Sequence, residues 1–157
     1  MGSNTGDSAA TLRSAVRELG LILRDARASS PWRSKARYVE DQPDFINLAV
    51  TGLTDREPLE LLDAIQGVEA AHGRDRSRER FKGPRSLDID ILLFGDRVIA
   101  DERLVVPHPG LRERAFALAP LVELDPDLAH PADGVLLAHI LALLPPQGIY
   151  PMESERL

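Results

Sequence analysis

Apolar positions recur along the chain with two different periods, and the switches between them mark out its elements. Leu12, Val16 and Leu19 fall three and four apart, which predicts a helix over 8–19 with Gly20 as its stop. Residues 21–34 carry a weaker, strand-like pattern, and 35–43 is polar and reads as a mobile loop. Over 44–51 the period drops to two: Ile46, Leu48 and Val50 face one way, Phe45, Asn47 and Ala49 the other. Helical spacing returns at Leu59, Leu62, Ile65, Val68 and Ala71, opened by Pro58 and closed by Gly73. A second alternating stretch predicts a strand over 85–94, where Leu87, Ile89 and Ile91 interleave with Asp88 and Asp90. Gly95-Asp96 predicts a turn into a short return strand over 97–99. Pro107-His108-Pro109-Gly110 breaks the chain, and helices are expected over 111–123 and 134–144. The tail, 147–157, reads as loosely held.

This order predicts one α+β domain over 1–157: a ferredoxin-like sandwich, a mostly antiparallel sheet with helices packed on both sides. Such a unit needs a strand before its first helix. The chain reaches turn-rich Gly2-Ser3-Asn4-Thr5-Gly6-Asp7 almost at once. The first strand is therefore expected to be missing or to lie upstream of residue 1.

Composition narrows the chemistry. With no cysteine there is no thiolate metal site, no thiol nucleophile and no disulfide framework. No apolar run approaches the length that crosses a membrane. A net charge of −6 argues against a general nucleic-acid binder. The expectation is a cytoplasmic monomer with neither membrane nor nucleic-acid partners. The charge is unevenly spread: Arg74, Arg76, Arg78, Arg80, Lys82 and Arg85, against Asp75 and Glu79, make the 74–85 window +4 and leave −10 elsewhere. A basic island in an acidic chain suits a compact anionic ligand.

Asp88 and Asp90 are the leading candidates for chemistry. Two carboxylates on one face of an extended segment repel each other unless a cation joins them. For a lone Asp-x-Asp, solvent-facing acids would be the commoner outcome. The apolar flanks and the Gly83-Pro84-Arg85 entry favour a metal site, and Mg²⁺ suits it because phosphate oxygens and water complete its shell. The neighbouring arginines offer planar forks that match phosphate oxygens. Acids for a metal beside arginines for phosphate is phosphoryl-transfer chemistry. By spacing alone, His108 reads as a turn residue, and Gln66 and Glu69 as a solvated helical face. Phe45, Phe81 and Phe116 read as core residues, although Phe45 and Asn47 together could clamp a flat heterocycle.

Phe81-Lys82-Gly83-Pro84-Arg85-Ser86-Leu87-Asp88-Ile89-Asp90-Ile91-Leu92 resembles the signature of the 6-hydroxymethyl-7,8-dihydropterin pyrophosphokinase family. Gly2 to Asp7, Asp41-Gln42-Pro43-Asp44-Phe45-Ile46-Asn47 and Val106-Pro107-His108 support it in the expected order, over roughly 2–145. The resemblance implies transfer of pyrophosphate from ATP to the pterin's hydroxymethyl group in folate biosynthesis, giving AMP and the pterin diphosphate. It implies two Mg²⁺ ions on Asp88 and Asp90, and Arg74 and Arg85 beside the transferred group. It assigns ATP contacts to Gln66, Arg76, Arg80, Ile91, Arg103, His108 and Arg114. Phe45, Asn47, Phe81 and Phe116 would form the pterin pocket. The chain departs from the family in Ser34-Lys35-Ala36-Arg37-Tyr38-Val39-Glu40, usually rich in proline and glycine, and in the added Lys82. Phe81 also stands where tryptophan is common, and Pro109 where an aromatic can occur.

Two other classes remain open: a different Mg-dependent nucleotide phosphotransferase, and a non-catalytic RNA-binding module. The second expects exposed aromatics on adjacent strands, and the chain has only seven aromatics with a net negative charge.

Overall fold

The computed structural model describes residues 1–35, 43–74 and 85–152. The chain opens in a short strand, β1 (Gly2–Ser3), and turns into α1 (Ser8–Ile22). Asp7 caps α1, its carboxylate accepting from the Ala10 N–H at 2.9 Å. Leu12, Ala15 and Leu19 form the buried stripe. The helix runs past the expected stop at Gly20 because Ile22 still packs on the core, and it ends where Leu23 turns extended. A glycine inside a helix costs only about 1 kcal/mol.

The weak strand expected over 21–34 is two strands, β2 (Arg24–Ala28) and β3 (Trp32–Ser34). Pro31 stands between them and brings no N–H to a ladder. The 44–51 strand is also divided, into β4 (Phe45–Asn47) and β5 (Val50–Leu53), because the chain changes partners at Leu48-Ala49. β4 pairs with β1 and β3, whereas β5 pairs with β2, all antiparallel. The β2–β5 register shifts between Arg24 and Arg27, and Gly52 lies against that irregularity. A Cβ at Gly52 would stand 2.9 Å from the Arg24 carbonyl oxygen.

Next comes α2 (Pro58–Ala71), followed by Gly73 at a φ of +81°, as the sequence predicts. Glu60 accepts from the Glu57 N–H at 3.0 Å and steadies the first turn. Beyond the Gly95-Asp96 turn, β6 (Ile99–Ala100) pairs with β7 (Val105–Val106), so the return strand sits later than expected. The helix expected over 111–123 is interrupted. A 3₁₀ turn at Leu111–Glu113 gives way, through an extended Arg114, to α3 (Ala115–Leu124). The last helix, α4 (Leu137–Leu143), starts later than expected because His130 and Val135 close a turn ahead of it. The tail is not loose as far as it is described. β8 (Ile149–Pro151) pairs with β3, and the Gln147 side chain bridges the Ala115 N–H and the Glu113 carbonyl.

Two corrections bear on the site. A short strand, β1, does precede α1, and beside it the Met1 carbonyl accepts from the Leu48 N–H at 3.0 Å. The expected strand over 85–94 is an extended segment with one bridge, Gly2 to Asp88, and no continuing ladder. β1 is only two residues long, so its partner edge ends quickly.

The fold is α+β: among the described residues it has α-helices, one 3₁₀ turn and small antiparallel sheets. Its four-stranded sheet runs β1-β4-β3-β8. Alternation sorts side chains into two cores. Leu48, with Ile46 and Val50 packed beside it, joins Leu87, Ile89, Ile91 and the apolar faces of α1 and α2. Ala49 joins Leu111, Leu118 and Leu137 under α3 and α4.

Candidate active site

The 85–91 segment is tied down on its core side, with Leu87, Ile89 and Ile91 buried, and so presents Asp88 and Asp90 from the opposite face. Asp88 exchanges both main-chain hydrogen bonds with Gly2, at 2.8 and 2.9 Å. Its carboxylate is held at each oxygen: Arg74 donates to Oδ1 and Arg85 to Oδ2, both at 2.6 Å. Burial works against ionisation of Asp88, but the charges and hydrogen bonds of Arg74 and Arg85 outweigh it and keep its carboxyl below the usual range. The side chain of Arg74 is only 6% exposed and also donates to Glu69.

Asn4 positions Arg85. Its buried side-chain carbonyl accepts from the Arg85 N–H at 2.8 Å, and its amide donates to the Pro43 carbonyl at 3.3 Å. Glu69 lies fully inside, accepting from the Ile89 N–H at 2.8 Å. It is therefore not on a solvated helical face. Leu62, Ile65 and Val68 lie seven, four and one residues before it on α2, and that placement on the apolar stripe was the available signal.

His108 belongs to the same neighbourhood. Its N–H donates to the Leu92 carbonyl, and its Nδ1 accepts from the Gly110 N–H at 3.0 Å. With Nδ1 an acceptor, the neutral ring carries its proton on Nε2, which can donate to an anion. Burial lowers its pKa most, with Asp90 pulling it up and Arg114 pushing it down, so both charges are within its field. The Arg114 guanidinium packs on Gly110, where a Cβ would meet its Nε at 2.6 Å, and it stands 6.0 Å from the Phe116 ring centre.

On the other side of β1, Asn47 is buried on β4, opposite Gly2. Its amide donates to the Ser34 hydroxyl at 2.8 Å, while its carbonyl oxygen lies where a side chain on Gly2 would sit, 2.8 Å from an added Cβ. Ser34 thus orients the amide, a role its spacing in the sequence did not announce. Phe45 shares β4 with Asn47 and is half-buried across from Ser34. Phe116 is half-buried against the α3–α4 core.

The remaining expected residues are less closely gathered. Arg103 pairs with Asp63, one turn before the half-buried Gln66 on α2. Ile91 has its side chain in the first core. Arg76, Arg80 and Phe81 lie outside the described residues, as do Lys82, the 36–40 part of the atypical loop, and Asp41 and Gln42 of the supporting motif.

A family model described as 7,8-dihydro-6-hydroxymethylpterin-pyrophosphokinase matches residues 1–126. The chain is 43% identical over 155 residues to a 2-amino-4-hydroxy-6-hydroxymethyldihydropteridine pyrophosphokinase of Methylorubrum extorquens, covering 98% of this chain and 96% of that protein. It is 42% identical over 132 residues to the Aquifex aeolicus protein of that name, covering 83% of this chain and 81% of the relative. The folic acid synthesis protein fol1 of Schizosaccharomyces pombe is 40% identical over 150 residues, which is 94% of this chain but 20% of that longer protein. The acid–arginine cluster at Asp88 and the matches along the chain agree, and this protein belongs to the 7,8-dihydro-6-hydroxymethylpterin pyrophosphokinase family of folate biosynthesis.

Proposed function

We propose that Asp88, Asp90, Arg74 and Arg85 carry a pyrophosphoryl transfer from ATP to the hydroxymethyl oxygen of 6-hydroxymethyl-7,8-dihydropterin, leaving AMP. The observation that carries this reading is Asp88, with a guanidinium on each carboxylate oxygen at 2.6 Å and Asp90 beside it. Such a transfer asks for alignment and charge neutralisation more than for a strong base. Among the described residues, no group of three or more His, Cys, Asp or Glu gathers as a metal cluster. The aspartate pair still fits Mg²⁺, which takes one or two protein carboxylates and fills its shell with water and phosphate oxygens. Asp88 and Asp90 would hold two such ions, and the ions would supply charge stabilisation at the phosphates.

The chain's own residues do the rest. Arg74 and Arg85 exchange Asp88 for phosphate oxygens as the nucleotide arrives, so opposite charges stay paired throughout. His108 donates from Nε2 to a phosphate, and Arg114 adds a fork beside it. Gln66, Ile91, Arg103, Arg76 and Arg80 complete the nucleotide side. Asn47, held by Ser34, reads the edge of the pterin, with Phe45, Phe81 and Phe116 against its faces. Behind this lies a ferredoxin-like order, supported by the succession Asp88 segment, β1, β4, β3 across the sheet.

The test is AMP production from ATP with Mg²⁺, with and without 6-hydroxymethyl-7,8-dihydropterin. Pterin-dependent AMP is expected from the wild type and not from Asp88→Asn. ADP as the product, or AMP formation independent of the pterin, would overturn the reading. Retained turnover in Asp88→Asn would remove the acid pair from the mechanism.

A further inference from the structure

We infer that Glu69 is a positioning residue for this reaction: its buried carboxylate sets the main chain between the two aspartates and shares the charge of Arg74. The inference rests on Asp88 and Asp90 being the metal-holding acids proposed above. In an antiparallel pair, successive residues send their N–H groups to opposite edges. Asp88 spends both main-chain groups on Gly2, so the Ile89 N–H points to the edge that, among the described residues, no strand covers. Glu69, 1% exposed on α2, fills that place and accepts from Ile89 at 2.8 Å. A side chain from a helix therefore does the work of a neighbouring strand, at the residue between Asp88 and Asp90.

A neutral amide could accept from Ile89 equally well. A carboxylate buried this deeply is costly unless its charge is used. Here the charge is used on Arg74, which donates both to Glu69 and to Asp88. Sharing that guanidinium with Glu69 weakens its hold on Asp88, so that a cation displaces it more easily. Partners that orient metal ligands typically matter by about 10- to 100-fold in metal affinity.

The experiment compares wild type, Glu69→Gln and Asp88→Asn. Mn²⁺ affinity is read by electron paramagnetic resonance in the presence of α,β-methylene-ATP. Exchange of the Ile89 amide is read by NMR in the metal-free protein. Glu69→Gln should keep a protected Ile89 amide yet bind Mn²⁺ about 10- to 100-fold more weakly, with a fall in kcat and little change in the pterin KM. Unchanged Mn²⁺ affinity in Glu69→Gln, with affinity lost in Asp88→Asn, would make Glu69 a purely structural residue and overturn the inference. Wild-type Mn²⁺ affinity in Asp88→Asn would instead remove the metal reading beneath it. An Ile89 amide that exchanges as fast as an exposed one in the wild type would refute the geometry, whatever any variant does.

Discussion

Replacing Asp88 with asparagine should destabilise the metal-free protein, and the sign of that effect is informative. If the two aspartates simply repelled each other, removing one charge would stabilise the fold. The structure gives the opposite sign, because Arg74 and Arg85 each donate to Asp88 at 2.6 Å and Arg74 is only 6% exposed. Hydrogen bonds to charged groups contribute about 1.5–3 kcal/mol, and breaking a fully buried ion pair costs about 3–5 kcal/mol. The Asp88 side chain is 24% exposed, and Arg74 keeps Glu69, so the lower end applies. We expect a loss of about 2 kcal/mol, or a fall in Tm of roughly 4–8 °C for a chain of this size. Thermal unfolding followed by circular dichroism at pH 7, without divalent cations, measures it. The folded-state pKa of Asp88 is depressed, so its contribution is fully present above the unfolded value of 3.8 and is lost as pH falls through the folded value. The difference between wild type and Asp88→Asn should therefore shrink only in that acid window. An asparagine variant as stable as wild type, or more stable, at pH 7 would refute the ion-paired arrangement.

Two further substitutions test the binding sides separately. Asn47→Ala removes the amide that Ser34 orients, and calorimetry should show pterin affinity reduced by about 10- to 100-fold, with nucleotide affinity nearly unchanged. Gly110→Ala sets a methyl group where the Arg114 Nε lies 2.6 Å from an added Cβ, so the flexible guanidinium must move while the backbone stays. The KM for ATP should rise several-fold with Tm changed by no more than a few degrees, and an unchanged KM would take Arg114 out of the nucleotide site.

Much of the arrangement was already written in periodicity. Leu87, Ile89 and Ile91 enter the core while Asp88 and Asp90 do not, because side chains on an extended chain must alternate. The same rule sends Leu48 and Ala49 into different cores. Both of the first two helices start where caps and proline put them, since those signals act within one turn. Boundaries that depend on distant partners were not legible. The stretch over 44–51 alternates without a break, yet it is divided because β3 and β2 claim its two halves. The tail from Gln147 reads as loosely held until α3 and β3 are beside it.

The acid pair, its alternation and the arginines around it belong to the sequence by itself, because local geometry and charge are carried by neighbouring residues. That the Asp88 main chain pairs with Gly2, and which groups meet the buried Glu69, belong to the tertiary structure. The Glu69 bond to Ile89 spans 20 residues and the Asn4 bond to Arg85 spans 81, joining a helix and the chain opening to the acid segment. A buried charge is stable only where folding delivers its partners, and no spacing along a chain records where they will be.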